Sequence, residues 1–475
     1  LDNSLSNLIP KQQKFYKSAF GEVLVSENDA IVQISAEYGI VPNVLTAVSG
    51  GTATAVNGMF DVQSGTGANN VATVVSRREA NQRAGQGLSC HVSGMFTTGV
   101  ADSTQQVGML TSESAFCFGY NGAEFGVLRA YDGALEIQEL TITTPAAGAE
   151  TATVVIDGTG YGVNLTGIGT VIGDAYEIAT QMTALGLPFR FTSNNGVVTC
   201  IGNVPDVGVG LFAYTSSTSI GGWSQVSNAA LPIEEWTPIS NWSEEPNFSI
   251  DPTKLNDFKI QIQGNINFYI KSQDDGEYKL VHIIKYINAN TTPSVANPTF
   301  RVGWAVRNTG NTTNLTIKGV YGALFNEGHI IYNQLPTSDS NGAAAVGTTR
   351  TNIIAFRNRN EFRGLPNRSE ILPGTLSLET DAVKPVVFEV VAFPEVASGN
   401  VLDWQYLDEN NSIMEVAKNQ VAITGGTVVS SFGPNFINIG DLVKYQPPGS
   451  YFAITARTSS GNADFLVAGT WTEDN

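Results

Sequence analysis

The fourteen-residue run FCFGYNGAEFGVLR, Phe116–Arg129, limits the possible folds of this chain more than any other stretch. Phe116, Phe118 and Tyr120 alternate with Cys117 and Gly119, and Phe125, Val127 and Arg129 alternate again after Asn121-Gly122. Alternation of this kind puts one set of side chains on one face of a strand. Asn-Gly between two such runs predicts a hairpin, because both residues accept the positive φ of a tight turn. A ribbon with one aromatic face must bury that face against a second sheet. The expectation is a β-sandwich with this hairpin at its centre.

Length and composition agree with many short strands. At 475 residues the chain is too long for a single core and should hold two to four domains. Charged residues make up 14% and hydrophobic ones 42%, with 49 glycines, so turns are plentiful and disorder is excluded by apolar content. The net charge of −18 repels phosphate backbones, which argues against nucleic-acid binding. No apolar run reaches the ~20 residues of a membrane-spanning helix, so no membrane insertion is expected. Leu1-Asp2-Asn3 does not read as a secretory signal. Cys90, Cys117 and Cys200 are odd in number and widely spaced, which predicts buried free thiols in place of a disulfide scaffold or zinc site.

The strand rhythm divides the chain. Residues 1–20, with Lys11, Lys14 and Lys17 among Phe15, Tyr16 and Phe20, form an N-terminal arm. Strand-like segments fill 21–138, and the pattern changes over 139–234. There Gly173–Leu185 is the one convincing helix, with Ala175, Ile178, Ala179, Met182 and Leu185 on a single face. Asp174 is its expected N-cap and Glu177 the capping-box partner. Strands of the first kind resume over 235–332, and 333–349 reads as a linker around Ser338-Asp339-Ser340-Asn341-Gly342. Eight further strand candidates fill 350–475. The predicted fold is mainly all-β: a discontinuous jelly-roll β-sandwich from 21–138 and 235–332 (concanavalin-like is what its resemblance to a known family implies), a small inserted α+β domain, and a second C-terminal β-sandwich.

Catalytic chemistry has little to stand on. His91, His282 and His329 lie in or beside strand patterns without an orienting group, and Cys90-His91 would point to opposite faces of a strand. Glu234-Glu235-Trp236 and Glu244-Glu245 beside Trp242 are the best candidate acid pairs for sugar cleavage, yet adjacent acids in a turn-rich segment read as a solvated rim. Asp274-Asp275-Gly276-Glu277 is better explained as a hairpin turn than as a Ca²⁺ loop. Gly85-Gln86-Gly87 lacks the Lys-Ser/Thr and helix of a phosphate loop. Arg77, Arg78 and Arg83, the one basic cluster, should face acidic neighbours within an assembly. Asn164, Asn241, Asn247, Asn290, Asn311, Asn314, Asn367 and Asn410 begin N-x-S/T sequons. No catalytic residue, metal or cofactor is expected.

Several segments resemble virion structural proteins of tailed, mainly marine, phages and of large algal DNA viruses. They include Phe20–Val25, Arg83–Gly87, Phe118–Leu128, Asp251–Lys254, Val281–Thr291, Phe356–Arg359, Lys384–Glu389, Thr424–Thr427 and Pro447–Gly449. The resemblance runs in order through most of the chain and omits 139–234. It implies a non-enzymatic component of a capsid, tail or fibre, exposed on the virion, with copies of itself (a trimer as first choice) and other virion proteins as partners. The alternative is a carbohydrate-binding adhesin holding host surface glycans, with Trp223, Trp236 and Trp242 stacking on sugars and Trp304 left to a core. A polysaccharide depolymerase is the remaining reading.

Overall fold

The computed structural model describes residues 30–82, 86–187, 189–202, 212–289, 291, 293–295, 298–327, 337–397, 399–439 and 446–474. The N-terminal arm, Arg83, Asn290, His329 and the expected strand at 441–445 lie outside the described residues. The chain is almost entirely antiparallel β-structure, with one α-helix among the described residues. It forms two compact units, residues 1–133 with 232–331, and 134–231 with 332–475.

The first unit is a discontinuous β-sandwich. One sheet has nine strands, running Tyr278–Ile284, Asn265–Lys271, Asn256–Gln263, Gly87–Phe96, Thr316–Gly319, Met59–Gln63 and Thr52–Val56. Tyr321–Glu327 joins it on the first half of Gly87–Phe96, and Ala30–Ser35 pairs beyond. The other sheet runs Ile233–Pro238, Glu124–Tyr131, Ala115–Asn121, Ser103–Leu110, Thr299–Asn308, Val71–Ser76 and Val44–Ser49, with Ala80–Asn81 pairing Thr299–Asn308. Strands from 30–131 and 233–327 thus interleave in both sheets, so neither half of the sequence makes a sandwich alone.

The aromatic hairpin lies where its pattern places it. Phe116 and Phe118 are fully buried; Phe116 packs on Phe300 of its own sheet, and Phe118 on Phe258 and Phe268 of the facing sheet. Each large apolar side chain buried in this way contributes about 1.5–3 kcal/mol. The turn differs from the expected one by a residue. Asn121 closes the ladder against Glu124, leaving Gly122 and Ala123 as the central pair. Gly122 takes φ +59°, the glycine-first arrangement of a type II′ turn. This register sets Tyr120 opposite Phe125, with rings 5.2 Å apart, and leaves the buried face unchanged.

The second unit combines the α+β insert with the C-terminal sandwich. The insert has a four-stranded sheet (Phe189–Asn194, Val197–Gly202, Ile137–Thr144, Ile220–Ser227) and a three-stranded one (Thr159–Leu165, Glu150–Ile156, Ala213–Thr215). Its helix spans Val171–Ala184 and buries Ala175, Ile178, Ala179 and Met182, as the spacing predicts. Leu185, expected on that face, is exposed because the helix ends at Ala184. The N-cap is Thr170, whose hydroxyl accepts from the Gly173 amide at 3.0 Å. Asp174 sits buried in the first turn and accepts from the Ala146 amide, while Glu177 accepts from Thr166.

The C-terminal sandwich stacks a four-stranded sheet (Thr337–Val346, Ala463–Asp474, Glu370–Thr380, Phe436–Asn438) on a six-stranded one. The latter runs Trp404–Tyr406, Met414–Ala417, Thr351–Asn358, Tyr451–Thr458, Val386–Val396 and Ile423–Phe432. The expected linker is therefore largely a strand: Ser338–Gly342 pairs with Leu466–Thr470. An edge strand with one solvated face tolerates such polar residues. A buried polar knot ties the insert to this sandwich. Arg357 pairs with Glu415, donates to the Ser193 carbonyl at 2.6 Å and stacks over Trp404, while Asn194 donates to Glu415.

Candidate functional site

Four neighbouring strands of the nine-stranded sheet send apolar side chains inward and a different set outward. Leu88, Cys90 and Val92 enter the core, as do Phe258, Ile260 and Ile262, and Phe268, Ile270 and Leu324. By alternation, the opposite face carries Ser89, His91 and Ser93, then Asp257, Lys259, Gln261 and Gln263, then Tyr269 and Lys271, and finally Tyr321, Phe325 and Glu327. Register lines them up in rows. Phe325 faces Ser89 and Ser89 faces Gln261, while His91 faces Lys259 and Lys259 faces Tyr269.

These side chains are organised around one another. The amides of Gln261 and Gln263 both donate to the Glu327 carboxylate, and the Tyr269 hydroxyl donates to Gln261 Oε1 at 3.0 Å. Gly87 permits this approach, since a Cβ there would lie 2.2 Å from Glu327 Oε2. Tyr321 donates to Asp257 at 3.1 Å, and Lys271 pairs with the same carboxylate at 3.6 Å. The His91 ring is edge-on to Tyr278 and Phe325, at 5.3 and 5.1 Å, and Lys259 Nζ lies 5.3 Å from the Tyr269 ring centre. Burial, reinforced by Lys259 and Lys271, holds the His91 pKa down at about 4, so the ring is neutral at pH 7. Burial also lowers Lys259, against the pull of Glu327, and lifts Tyr278 to about 12. Two buried polar atoms on this face, Ser89 Oγ and His91 Nε2, have no hydrogen-bond partner among the described residues.

Acid–base cleavage by the two carboxylates here does not fit their spacing. Glu327 pairs with Gly87 and Asp257 with Ser93, six positions apart on one strand, or about 20 Å. Glycosidase pairs stand about 5–9.5 Å apart.

The residues singled out in the sequence fall elsewhere. Trp242 is a core side chain, 1% exposed, with its ring against Phe118 and its Nε1 donating to the Thr237 carbonyl, so its assignment as a sugar platform is corrected. Trp236 is half-buried on the outer side of the eight-stranded sheet, among Leu110, Cys117 and Leu128. Trp223 belongs to the insert, half-buried with its ring 5.1 Å from Phe212. Trp304 is core, as expected. Glu234 and Glu235 lie in one strand and so point to opposite sides, and Glu235 is engaged by Arg129 and Tyr131. The Glu244 and Glu245 amides both bond the Val281 carbonyl, and their side chains are exposed.

Asp275 is held by Lys279 and the Glu277 amide in its turn. His282 Nδ1 accepts from the Ser243 amide at 3.1 Å. Within the chain, Arg77 and Arg78 bond the carbonyls of Pro42 and Ile31. All three cysteines are free and buried. Of the sequons, Asn367 is buried with its amide bonded to Asn358 and Arg359, which leaves no room for a glycan.

No family model and no curated protein matches the sequence. Among solved structures, the chain is similar to lectin II from Ulex europaeus (8% identity, 63% of this chain and 100% of that one, TM-score 0.23). It is also similar to the VIP36 exoplasmic/lumenal domain in its Ca²⁺/Man3GlcNAc-bound form (8%, 65% and 93%, TM-score 0.26). A third is the binding domain of botulinum neurotoxin DC in complex with SialylT (10%, 89% and 93%, TM-score 0.24). At such TM-scores these likenesses assign no role to any residue here.

Proposed function

We propose that this protein is a non-catalytic carbohydrate-binding adhesin, and that it holds glycans on the outer face of the nine-stranded sheet. The observation that carries this reading is the set of aromatic rings (Tyr269, Tyr278, Tyr321, Phe325) interleaved with amides and carboxylates on one face of the sheet. A sugar presents apolar C–H faces and a rim of hydroxyls, and binding sites for such ligands combine apolar surface with a few placed polar groups. Gln261, Gln263 and Glu327 are already fixed by their mutual hydrogen bonds, so little side-chain entropy is lost on binding.

The test is a glycan array with the whole chain, followed by titration calorimetry on the best ligand. Tyr278→Ala and Tyr321→Ala, both at half-buried positions, should each weaken binding at least about tenfold, or about 1.4 kcal/mol, with the fold intact. Absence of binding to any glycan, or binding indifferent to both substitutions, overturns the site. Release of oligosaccharides from a host polysaccharide overturns the non-catalytic reading.

The setting we propose is the surface of a virion, as a capsid, tail or fibre component, on the strength of the sequence resemblance from Phe20–Val25 to Pro447–Gly449. Copies of the same chain and other virion proteins are then its partners. Antibody labelling of intact particles tests this, and a label confined to unassembled protein overturns it.

A further inference from the structure

One side of the first unit's sandwich is closed by two edge strands in sequence, Val44–Ser49 of the eight-stranded sheet and Thr52–Val56 of the nine-stranded sheet. Native proteins guard edges with charges, prolines, bulges or covering segments. Thr52–Val56 and Val44–Ser49 contain neither a charge nor a proline. Among the described residues each pairs with one neighbouring strand in unbroken register, and no bulge interrupts either ladder. From Tyr38 to Phe60 there is no charged residue at all, although at 14% charged a stretch of that length would carry about three. Val48 and Val56 are 54% and 51% exposed on this side.

We infer that Thr52–Val56 is a self-association edge, pairing antiparallel with the same strand of a second copy about a two-fold axis through Thr54. The partner is a second copy because of charge. About a two-fold axis the residues at the axis meet their own mates, so any charge there would oppose itself, and a neutral edge on a chain of net charge −18 avoids that repulsion.

The backbone phase fits. Asn57 and Gly58, at φ +54° and +72°, form a two-residue turn that closes on Val56 and Met59. The amides and carbonyls of Val56, Thr54 and Thr52 therefore point to Met59–Gln63, and those of Ala53 and Ala55 point to the free edge. A two-fold through Thr54 sets Ala53 of each copy opposite Ala55 of the other, as hydrogen-bonded pairs. Thr54 then meets its own mate in the non-hydrogen-bonded position, with Cα atoms about 4.5 Å apart. Thr52 faces Val56 across the axis. All five positions carry small or β-branched side chains, which pair well across strands.

Sedimentation of the whole chain across the micromolar range should show a dimer. Thr54→Lys, a charge set against its copy, and Ala55→Pro, which removes an outward amide while leaving the bonds to Met59–Gln63, should each shift it to monomer with unchanged circular dichroism. Thr54→Cys adds a gain-of-signal test. Cα atoms about 4.5 Å apart suit a disulfide, so mild oxidation should give a covalent dimer on a non-reducing gel. Val383→Cys, fully exposed in the other unit, should not. A monomer at every concentration, a trimer, or a dimer indifferent to both substitutions and failing to cross-link at Thr54→Cys overturns the inference.

Discussion

At the scale of single residues, His91 and Trp242 show how burial decides a role. His91 titrates near 4 in the folded chain and near 6.5 once unfolded. Between those values the unfolded chain binds the extra proton, so stability is full above pH 6.5 and falls as the pH drops toward 4. The loss amounts to at most about 3 kcal/mol. Urea unfolding at a series of pH values should show this slope, and His91→Phe should flatten its share while keeping the ring between Tyr278 and Phe325. Trp242→Ala empties a filled core position and should cost about 3–5 kcal/mol. Trp236→Ala, at a half-buried position, should cost closer to about 1 kcal/mol. Thermal melts of the two variants distinguish a core side chain from a surface one. Both residues sit in turn- and acid-rich sequence, and nothing local marks one as interior.

At the scale of elements, local chemistry was legible and pairing was not. The alternation in Leu88–Ser93, Asp257–Gln263 and Asn265–Lys271 announces a polar face on each strand. That these faces form one surface depends on Gly87–Phe96 pairing with strands about 170 and 230 residues later, and alternation carries no information on distant partners. The face proposed here to bind glycans was therefore missed, while the conspicuous tryptophans were favoured. The helix shows the opposite case, where period 3.6 identified the buried stripe from Ala175 to Met182, while the cap and the last position, Leu185, were misplaced. Thr170 and Asp174 are both good caps, and the choice fell to the buried bond between Asp174 and the Ala146 amide. Thr170→Ala should destabilise the second unit by about 1 kcal/mol, read from its denaturation midpoint.

At the scale of the whole molecule, the insert and the C-terminal sandwich were expected as separate domains, yet they form one compact unit. The Arg357–Glu415 pair, held with Ser193 and Asn194, explains why composition gave no hint: its bonds to Ser193 and Asn194 join residues more than 150 positions apart in sequence. Glu415→Ala strands a buried guanidinium and should cost about 3–5 kcal/mol. Its effect should appear in the unfolding of the second unit and leave the first unit's transition in place, as resolved by differential scanning calorimetry.

The alternation of the chain between units also bears on how it is made. Residues 1–133 begin the first unit, 134–231 begin the second, 232–331 finish the first, and 332–475 finish the second. At about 5–20 residues per second, the ribosome spends at least several seconds exposing half-built sheets whose missing strands have not been synthesised. Nascent chains halted before residue 299 lack the central strand of the eight-stranded sheet and should be protease-sensitive throughout, however many domains a reader of the sequence would count in them. Neither unit of this protein can mature before the strands beyond residue 299 have been translated, so its biogenesis depends on whatever shields the growing polypeptide until then.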